Sequence, residues 1–508
     1  PPRSTLFPYT TLFRSDLVVI DHFEMTAIVM MGTVTDPIVL RDITIPIEIF
    51  LPAAHEIGAA GFLCTGTEEM NRVIPEYPDY RKHRLPNGLI LLMENVPGVR
   101  TVAAGIWVRQ GSRHESFANQ GVTHFLEHML FKGTDGADAR QLAKAMDALG
   151  GQFDAATGKE SVCLVAKCID ENLERTLDLL DQILLHPVFP EREIQRERRV
   201  VLEELSMAED DPEEWVQERS MQSFWLDHPI SHNILGNRRS IRALNRDALM
   251  EYYRAFLSSP NIIIVIAGHI GDFARVHEIV QERFGHLTPS SPTPVNPPPV
   301  FHSGARFVQR KLGQVYFQIA LPWLSLSHPR HVHALIANTI LGGNMSSLLF
   351  QTLRERHGLA YQIGSFEMSF SDCGNLSVFG STSMVRFQKA MHLTRACLAQ
   401  LADGDVSTQD FQQAKLCLKG NVAMSDEGSS RRMATLVRQE MNHGRRFRTD
   451  EVLDLIAGVS YDEFRSFLTS NIKLDHVNFV ALGPFNRRRI DPDADSMDQV
   501  VSAVKRFC

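Results

Sequence analysis

A run of prolines most limits what this chain of 508 residues can become. Thr288-Pro289-Ser290-Ser291-Pro292-Thr293-Pro294 is followed by Pro297-Pro298-Pro299. Proline has no backbone N–H and a fixed φ, so such a run enters neither a helix interior nor a central strand. It is expected to be a stiff, extended linker. Patterned sequence lies on both sides of it, in halves of about 200 residues, an ordinary domain size.

The two halves echo each other. Tyr252-Tyr253-Arg254-Ala255-Phe256-Leu257 precedes the apolar run Ile262–Ala267 and Gly268. Glu463-Phe464-Arg465-Ser466-Phe467-Leu468 precedes Val477–Leu482 and Gly483. The offsets are 211 residues from Phe256 to Phe467 and 215 from Gly268 to Gly483. A repeat this long points to a duplicated domain rather than a solenoid. In the first half, Leu89–Met93 and Val102–Val108 read as strands, and Asn261–Ala267 as a strand buried on both faces. Helices are expected over Gln120–Phe131, closed by Gly133, and over Ala137–Leu149, Glu171–Leu185 and Glu191–Glu209, the last entered from Pro190.

Composition narrows the functional classes. A hydrophobic content of 44% with 22% charged residues suits a soluble globular protein. The net charge of −8 supplies no basic field for nucleic acid and speaks against an anionic membrane surface. No apolar stretch reaches the length of about 18 residues that a membrane span needs. The seven cysteines are scattered without a Cys-x-x-Cys pair, the usage of a reducing compartment. No signal-peptide plan opens the chain, and Asp16, Asp21 and Glu24 do not suit a transit peptide. A cytoplasmic location is expected. Residues 1–15 repeat one short phrase around Pro8-Tyr9, in the manner of translated sequencing adaptor, and residues 1–69 as a whole carry no motif. Met70 is the expected start of the patterned chain.

The chemistry is carried by His124-Phe125-Leu126-Glu127-His128. On a helix, two histidines four residues apart differ by roughly 40° around the axis and one turn in height, so both imidazoles reach one zinc ion. Glu127 falls on the neighbouring flank, within reach of a water held there. This is the inverse of the His-Glu-x-x-His spacing, with the same chemistry open to it. The string alone also arises by chance a few per cent of the time. A catalytic zinc needs a third protein ligand and an open fourth position. In Glu191–Glu209 the apolar face is Ile194, Val201, Leu205 and Ala208. Glu204 and Glu197 border it about 20° apart, and Glu203 points away. Glu204 is the preferred third ligand, and Glu197 a carboxylate that orients a histidine or Glu204. Without the two histidines, both would read as ordinary flank glutamates.

The stretch from Gly121 to Thr134 resembles the signature of the M16, pitrilysin-type or inverzincin, metallopeptidases. Within that family it looks most like the branch with the mitochondrial processing peptidase β subunit and its bacterial relatives. The third ligand of that family is a glutamate about 75 residues beyond the second histidine, with a supporting glutamate seven before it; Glu204, with 75 intervening residues, and Glu197 fit. Leu341-Gly342-Gly343-Asn344-Met345-Ser346-Ser347, with Arg354 to Tyr361 beyond it, resembles the family's arginine/tyrosine element. That resemblance assigns Arg354 to the substrate backbone and Tyr361 to the tetrahedral intermediate; otherwise the segment is a plain helix ending at a glycine. A departure stands at Asp154, where the family usually has asparagine, in the segment whose Asp154 and Ala155 would meet substrate.

The resemblance spans Leu85 to Pro484 and implies two homologous α+β domains. Each is a mainly antiparallel sheet with helices packed on it, and the proline linker joins them as a clamshell. The expected division is 1–69 unassigned, 70–287 zinc-binding, 288–304 linker, 305–490 a C-terminal domain completing the site, and 491–508 a tail. The implied bacterial enzyme is an endopeptidase with one zinc ion per chain. Extended or unfolded peptides would pair with a sheet edge near Gly151–Thr157, and a homodimer is plausible. Two alternatives stand beside it: a non-catalytic assembly or partner subunit, and a hydrolase of non-peptide substrates. The positions 211–215 beyond His124 and His128 hold no histidine or glutamate, so the second half lacks such a site.

Other signals carry less. Gly158-Lys159-Glu160 lacks the glycine and hydroxyl residue of a phosphate loop. His228 and His232 around Pro229 suit a turn better than a metal. Glu209-Asp210-Asp211-Pro212-Glu213-Glu214 reads as a helix stop and a capped start, with attraction of basic peptides the lesser reading.

Overall fold

The computed structural model describes residues 79–289, 296–425, 427–486, 489–490 and 496–507. Residues 1–69, Met70, the centre of the proline run at 290–295 and residues 491–495 of the tail lie outside them. Strands of the first half are β1 Tyr80–Arg84, β2 Ile90–Asn95, β3 Thr101–Val108, β4 Gln152–Thr157, β5 Val162–Ile169 and β6 Ile262–Gly268. Those of the second are β7 Gly304–Gln309, β8 Val315–Pro322, β9 Ala360–Ser369, β10 Gly374–Thr382, β11 Asn478–Gly483 and β12 Arg489–Ile490. β7 therefore begins at Gly304, the last residue assigned to the linker.

Each half forms a six-stranded sheet, ordered β1-β2-β6-β3-β5-β4 and β12-β7-β11-β8-β10-β9. Leaving aside the edge strands β1 and β12, the two orders match strand for strand. In both, the late strand enters parallel to the first and antiparallel to the second: β6 between β2 and β3, β11 between β7 and β8. The remaining pairings are antiparallel. The echo between residues 252–268 and 463–483 is thus one helix-and-central-strand unit occurring twice.

The helices of the first half that bear on the site are α1 Val122–Leu130, α2 Ala139–Ala148, α3 Leu173–Leu185, α4 Glu191–Asp210 and α5 Pro212–Phe224. α1 and α3 pack on one face of the first sheet in a core with Leu91, Ala104, Ile106, Phe125, Met129, Leu164, Leu177 and Ile264. The other face is covered from outside its own half. Met433, Leu436 and Val437 of the helix Ser429–His443 pack on Leu92, Ala103, Trp107, Val165, Ile263 and Val265. α5 of the first half returns the favour, setting Val216 on Val480 and Leu482 of β11. A strand buried on both sides reads as a continuous apolar run, which is why β6 is Ile-Ile-Ile-Val-Ile-Ala-Gly with all seven residues buried. The indole of Trp107 lies across Gly105, where a Cβ would come within 2.4 Å of it.

The halves are also clasped by charge. Arg113, buried behind β4 and β5, donates to Asp372 through both terminal nitrogens at 3.0 and 2.8 Å and to Glu160 at 2.5 Å. Glu160 in turn accepts from the backbone N–H and hydroxyl of Ser371. At the far side Glu94 accepts from Arg432 and Arg446, and Lys82 pairs with Glu440. No helix among the described residues is long and apolar enough to cross a membrane.

Candidate metal centre

α1 starts two residues later than the pattern suggests, because its cap comes from a distance. Glu115 is 2% exposed and accepts from the N–H groups of Gly121 at 2.7 Å and Thr123 at 2.9 Å. A carboxylate at a helix N-terminus satisfies orphan donors and the dipole together. Gly121 takes φ +84°, and a Cβ there would lie 2.7 Å from the Leu235 carbonyl oxygen. Gln120 is outside the helix, its side chain accepting from Asn237. The helix closes at Leu130, so Gly133, at φ +135°, shapes the following turn rather than the helix end.

Val122, Phe125, Leu126, Met129 and Leu130 turn into the core, which leaves His124, Glu127 and His128 on the opposite, partly open side. α4 lies against it with Ile194, Val201, Leu205 and Ala208 buried. Glu203 is exposed and Glu204 half-buried, facing the histidines. Glu204 Oε2 is 3.9 Å from His124 Nε2 and 3.7 Å from His128 Nε2. Among the described residues these three alone form a cluster suited to a metal, one donor atom from each lying within 4.8 Å of the others. Such separations are long for hydrogen bonds. They approach the roughly 3.3 Å between ligand atoms that tetrahedral zinc imposes at bonds of about 2.0–2.1 Å. Two neutral imidazoles and a carboxylate, with one side open, fit a zinc ion.

Behind the cluster, His128 Nδ1 lies 3.2 Å from Glu197 Oε2, whose other oxygen is 3.0 Å from Lys132 Nζ. Burial alone would lower the His128 pKa. The hydrogen bond to Glu197 and the charges of Glu204, Glu127 and Glu197 outweigh it and raise it. Burial also acts against the Glu197 carboxylate, but His128 and Lys132 hold its pKa below the usual range. Glu197 therefore stays ionised and fixes the ring. Glu127 behaves oppositely: burial raises its pKa, with Asp154 and Glu204 adding to the rise and His128 and Thr157 opposing it.

Asp154 and Ala155 lie on β4, the outermost strand of its sheet, beside α1. The structure thus brings Asp154 within electrostatic reach of Glu127. Arg354 and Tyr361 belong to the second half, with Tyr361 at the start of β9. The Arg354 guanidinium stacks on the Tyr361 ring at 5.0 Å and on Phe350 at 4.7 Å, and Tyr361 is 68% exposed. The next residue, Gln362, donates to Glu213 on α5 at 3.0 Å.

The remaining sequence signals find structural roles. Asp211 ends α4 and caps α5, accepting from Glu213 and Glu214, as a helix stop and start require. Glu213 lines a cavity of about 550 Å³, open mouth included, with Tyr316, Phe366 and Phe379. His228 accepts from the Ile230 N–H across the Pro229 turn. Lys159 is buried and donates to the His232 carbonyl.

Two neighbours of the cluster escaped the sequence reading. Lys132 stands four residues after His128 but just past the end of α1, so the helical period alone did not point to it. Thr157 donates its hydroxyl to Glu127 Oε2 at 2.5 Å. Only strand alternation, which puts it on one face with Phe153 and Ala155, hinted at it.

Residues 90–238 match the family model described as Insulinase (Peptidase family M16), and residues 243–418 the one described as Peptidase M16 inactive domain. The uncharacterized zinc protease YmxG of Bacillus subtilis is 32% identical over 382 residues, 75% of this chain and 93% of that protein. An uncharacterized zinc protease of Streptomyces coelicolor is 30% identical over 397 residues, 76% of this chain and 86% of its own. Two solved structures share the fold. A peptidase M16 inactive domain from Pseudomonas fluorescens has a TM-score of 0.75 at 17% identity, covering 80% of this chain and 98% of that one. A protease from Helicobacter pylori has a TM-score of 0.73 at 20% identity, covering 80% and 100%.

Proposed function

The chain belongs to the M16 peptidase family, and on that premise we propose that it is a zinc-dependent endopeptidase acting on extended or unfolded peptides. The observation that carries this is the spacing of His124, His128 and Glu204, donor atoms within 4.8 Å, with Glu127 alongside. His124, His128 and Glu204 would hold one zinc ion per chain. When bound, the ion would supply Lewis-acid activation of water and polarisation of the scissile carbonyl. Glu127 takes the proton of the attacking water and passes it to the leaving amine. Burial raises its pKa above that of a solvated glutamate, the direction needed by a group that must hold the proton between the two transfers. Glu197 and Lys132 keep His128 in the tautomer that presents Nε2.

Peptide binding is assigned to the free edge of β4. An added strand there would run past Asp154 and Ala155, giving backbone affinity with limited sequence demand. Arg354 and Tyr361, stacked on each other at the start of β9, would complete the site from the second half. One further reading has a specific observation behind it. The second half matches a domain described as inactive, which suits a partner subunit as well as an enzyme.

Zinc content and cleavage of a quenched peptide mixture, wild type against Glu127→Gln, decide between them. The expected result is zinc in both proteins and chelator-sensitive cleavage by the wild type alone. Zinc-loaded wild type that cleaves nothing would leave the partner-subunit reading standing. Equal cleavage by both would remove Glu127 as the base.

A further inference from the structure

Thr157 is the last residue of β4 and is 9% exposed. Its hydroxyl reaches Glu127 Oε2 at 2.5 Å, from a strand to a helix 30 residues earlier in the chain. That hydroxyl has little freedom of its own. Thr157 pairs in register with Val162 of β5, and the Gly158 N–H closes the following turn on the Ser161 carbonyl at 2.8 Å. The turn is held from outside as well. Gly158 accepts from the Ser112 N–H at 3.0 Å, Lys159 donates to the His232 carbonyl, and Glu160 sits in the Arg113 clasp. The donor is thus fixed, while the glutamate it meets has a terminal torsion that is broad unless something pins it.

A carboxylate offers about four lone-pair positions over two oxygens. With one oxygen engaged by Thr157, the other keeps its lone pairs for a proton. The same strand carries Asp154 and Ala155, three and two residues before the threonine.

We propose that Thr157 is a positioning residue that holds the Glu127 carboxylate in the orientation needed to receive a proton. The proposal rests on the peptidase reading above. It predicts that the threonine matters for turnover and not for metal loading or peptide affinity.

The test compares wild type, Thr157→Val and Thr157→Ser in the zinc-loaded full chain. Valine keeps the shape and removes the donor; serine keeps the donor. For Thr157→Val, kcat on a quenched peptide falls by about 10- to 100-fold, the range for losing an outer hydrogen-bond partner, while KM and zinc content stay put. Thr157→Ser restores most of the rate. A second arm does not need turnover: affinity for a peptide hydroxamate, whose acidic group must share a proton with Glu127, weakens in Thr157→Val and recovers in Thr157→Ser. In the Glu127→Gln background, affinity for the uncleaved quenched peptide is the same with Thr157 or valine. A Thr157→Val enzyme with wild-type kcat and hydroxamate affinity, or a loss that serine does not restore or that zinc content explains, overturns the proposal. Wild type without cleavage overturns the peptidase reading alone, and the hydroxamate arm still decides the role of Thr157.

Discussion

Glu197 Oε2 lies 3.2 Å from His128 Nδ1, while the other nitrogen of that ring faces Glu204. The carboxylate is 4% exposed, so its bond is little diluted by water. It selects the tautomer and makes the imidazole a stronger donor to a metal. Glu197→Gln keeps the shape but removes the charge. Zinc affinity measured by chelator competition is expected to drop by about 10- to 100-fold with the fold intact. An unchanged affinity would reduce Glu197 to a packing residue.

Arg113 has the best-defined contact between the halves, two nitrogens on Asp372 and one of them also on Glu160. Its side chain is 6% exposed. Replacing it by alanine leaves two carboxylates facing each other without a cation. Breaking a buried pair in this way costs about 3–5 kcal/mol, and the partial exposure of Asp372 and Glu160 favours the lower end. Urea unfolding should show an earlier midpoint for Arg113→Ala than for wild type. An unmoved midpoint would mean that the exchanged helices, α5 and Ser429–His443, hold the halves unaided.

How far the sequence could be read follows from the range of each interaction. The clustering of His124, His128 and Glu204 was legible because its members obey one helix period: His124 and His128 on α1, and Glu204 against Glu203 on α4. The doubled sheet was legible through β6 and β11, whose apolar runs stand out. The helix exchange was not. The buried residues of α5, Val216, Glu218, Ser220, Met221 and Phe224, run around its girth rather than along one stripe, so no single face declared itself. The Arg113–Asp372 clasp joins residues 259 apart, and nothing local to either announces the other. Arg354 and Tyr361 stand in a motif that is clear in the sequence, and the fold stacks the two side chains on each other.

Glu367 offers a pH signature in the second half. It is 9% exposed, accepts from Trp323 Nε1 at 3.1 Å and faces His331 Nε2 at 3.4 Å. Burial pushes its pKa up to about 8 from 4.5, and burial pushes that of His331 down to about 3. Between pH 4.5 and 8 the folded protein keeps a proton on Glu367 that the unfolded chain has lost. Its contribution to stability is therefore complete below pH 4.5 and declines as pH rises to 8, by at most about 1.4 kcal/mol per unit. Glu367→Gln keeps the acceptor for Trp323 and has no proton to lose. Chemical denaturation at several pH values should show the variant gaining on wild type from pH 5 to 8. Parallel curves would place the Glu367 proton elsewhere.

Glu203 and Glu204 are neighbours of identical chemistry, and only the helix geometry tells them apart. Glu203 is exposed, whereas Glu204 is half-buried with Oε2 within 3.9 Å of both histidines. A Glu→Gln change at either removes one negative charge from α4, so the pair controls for charge and helix propensity. In the proposed zinc site, the change at Glu204 would also replace an anionic donor by a weak neutral one among three protein ligands. Glu204→Gln is expected to lose most of its zinc on dialysis against buffer containing a mild chelator, and with it all cleavage. Glu203→Gln should keep wild-type zinc content, since a solvated glutamate contributes within about 0.5 kcal/mol to anything measured. Equal zinc in the two variants would mean that the third ligand comes from elsewhere, with Asp154 the next carboxylate to test, because it already acts on Glu127 through its charge.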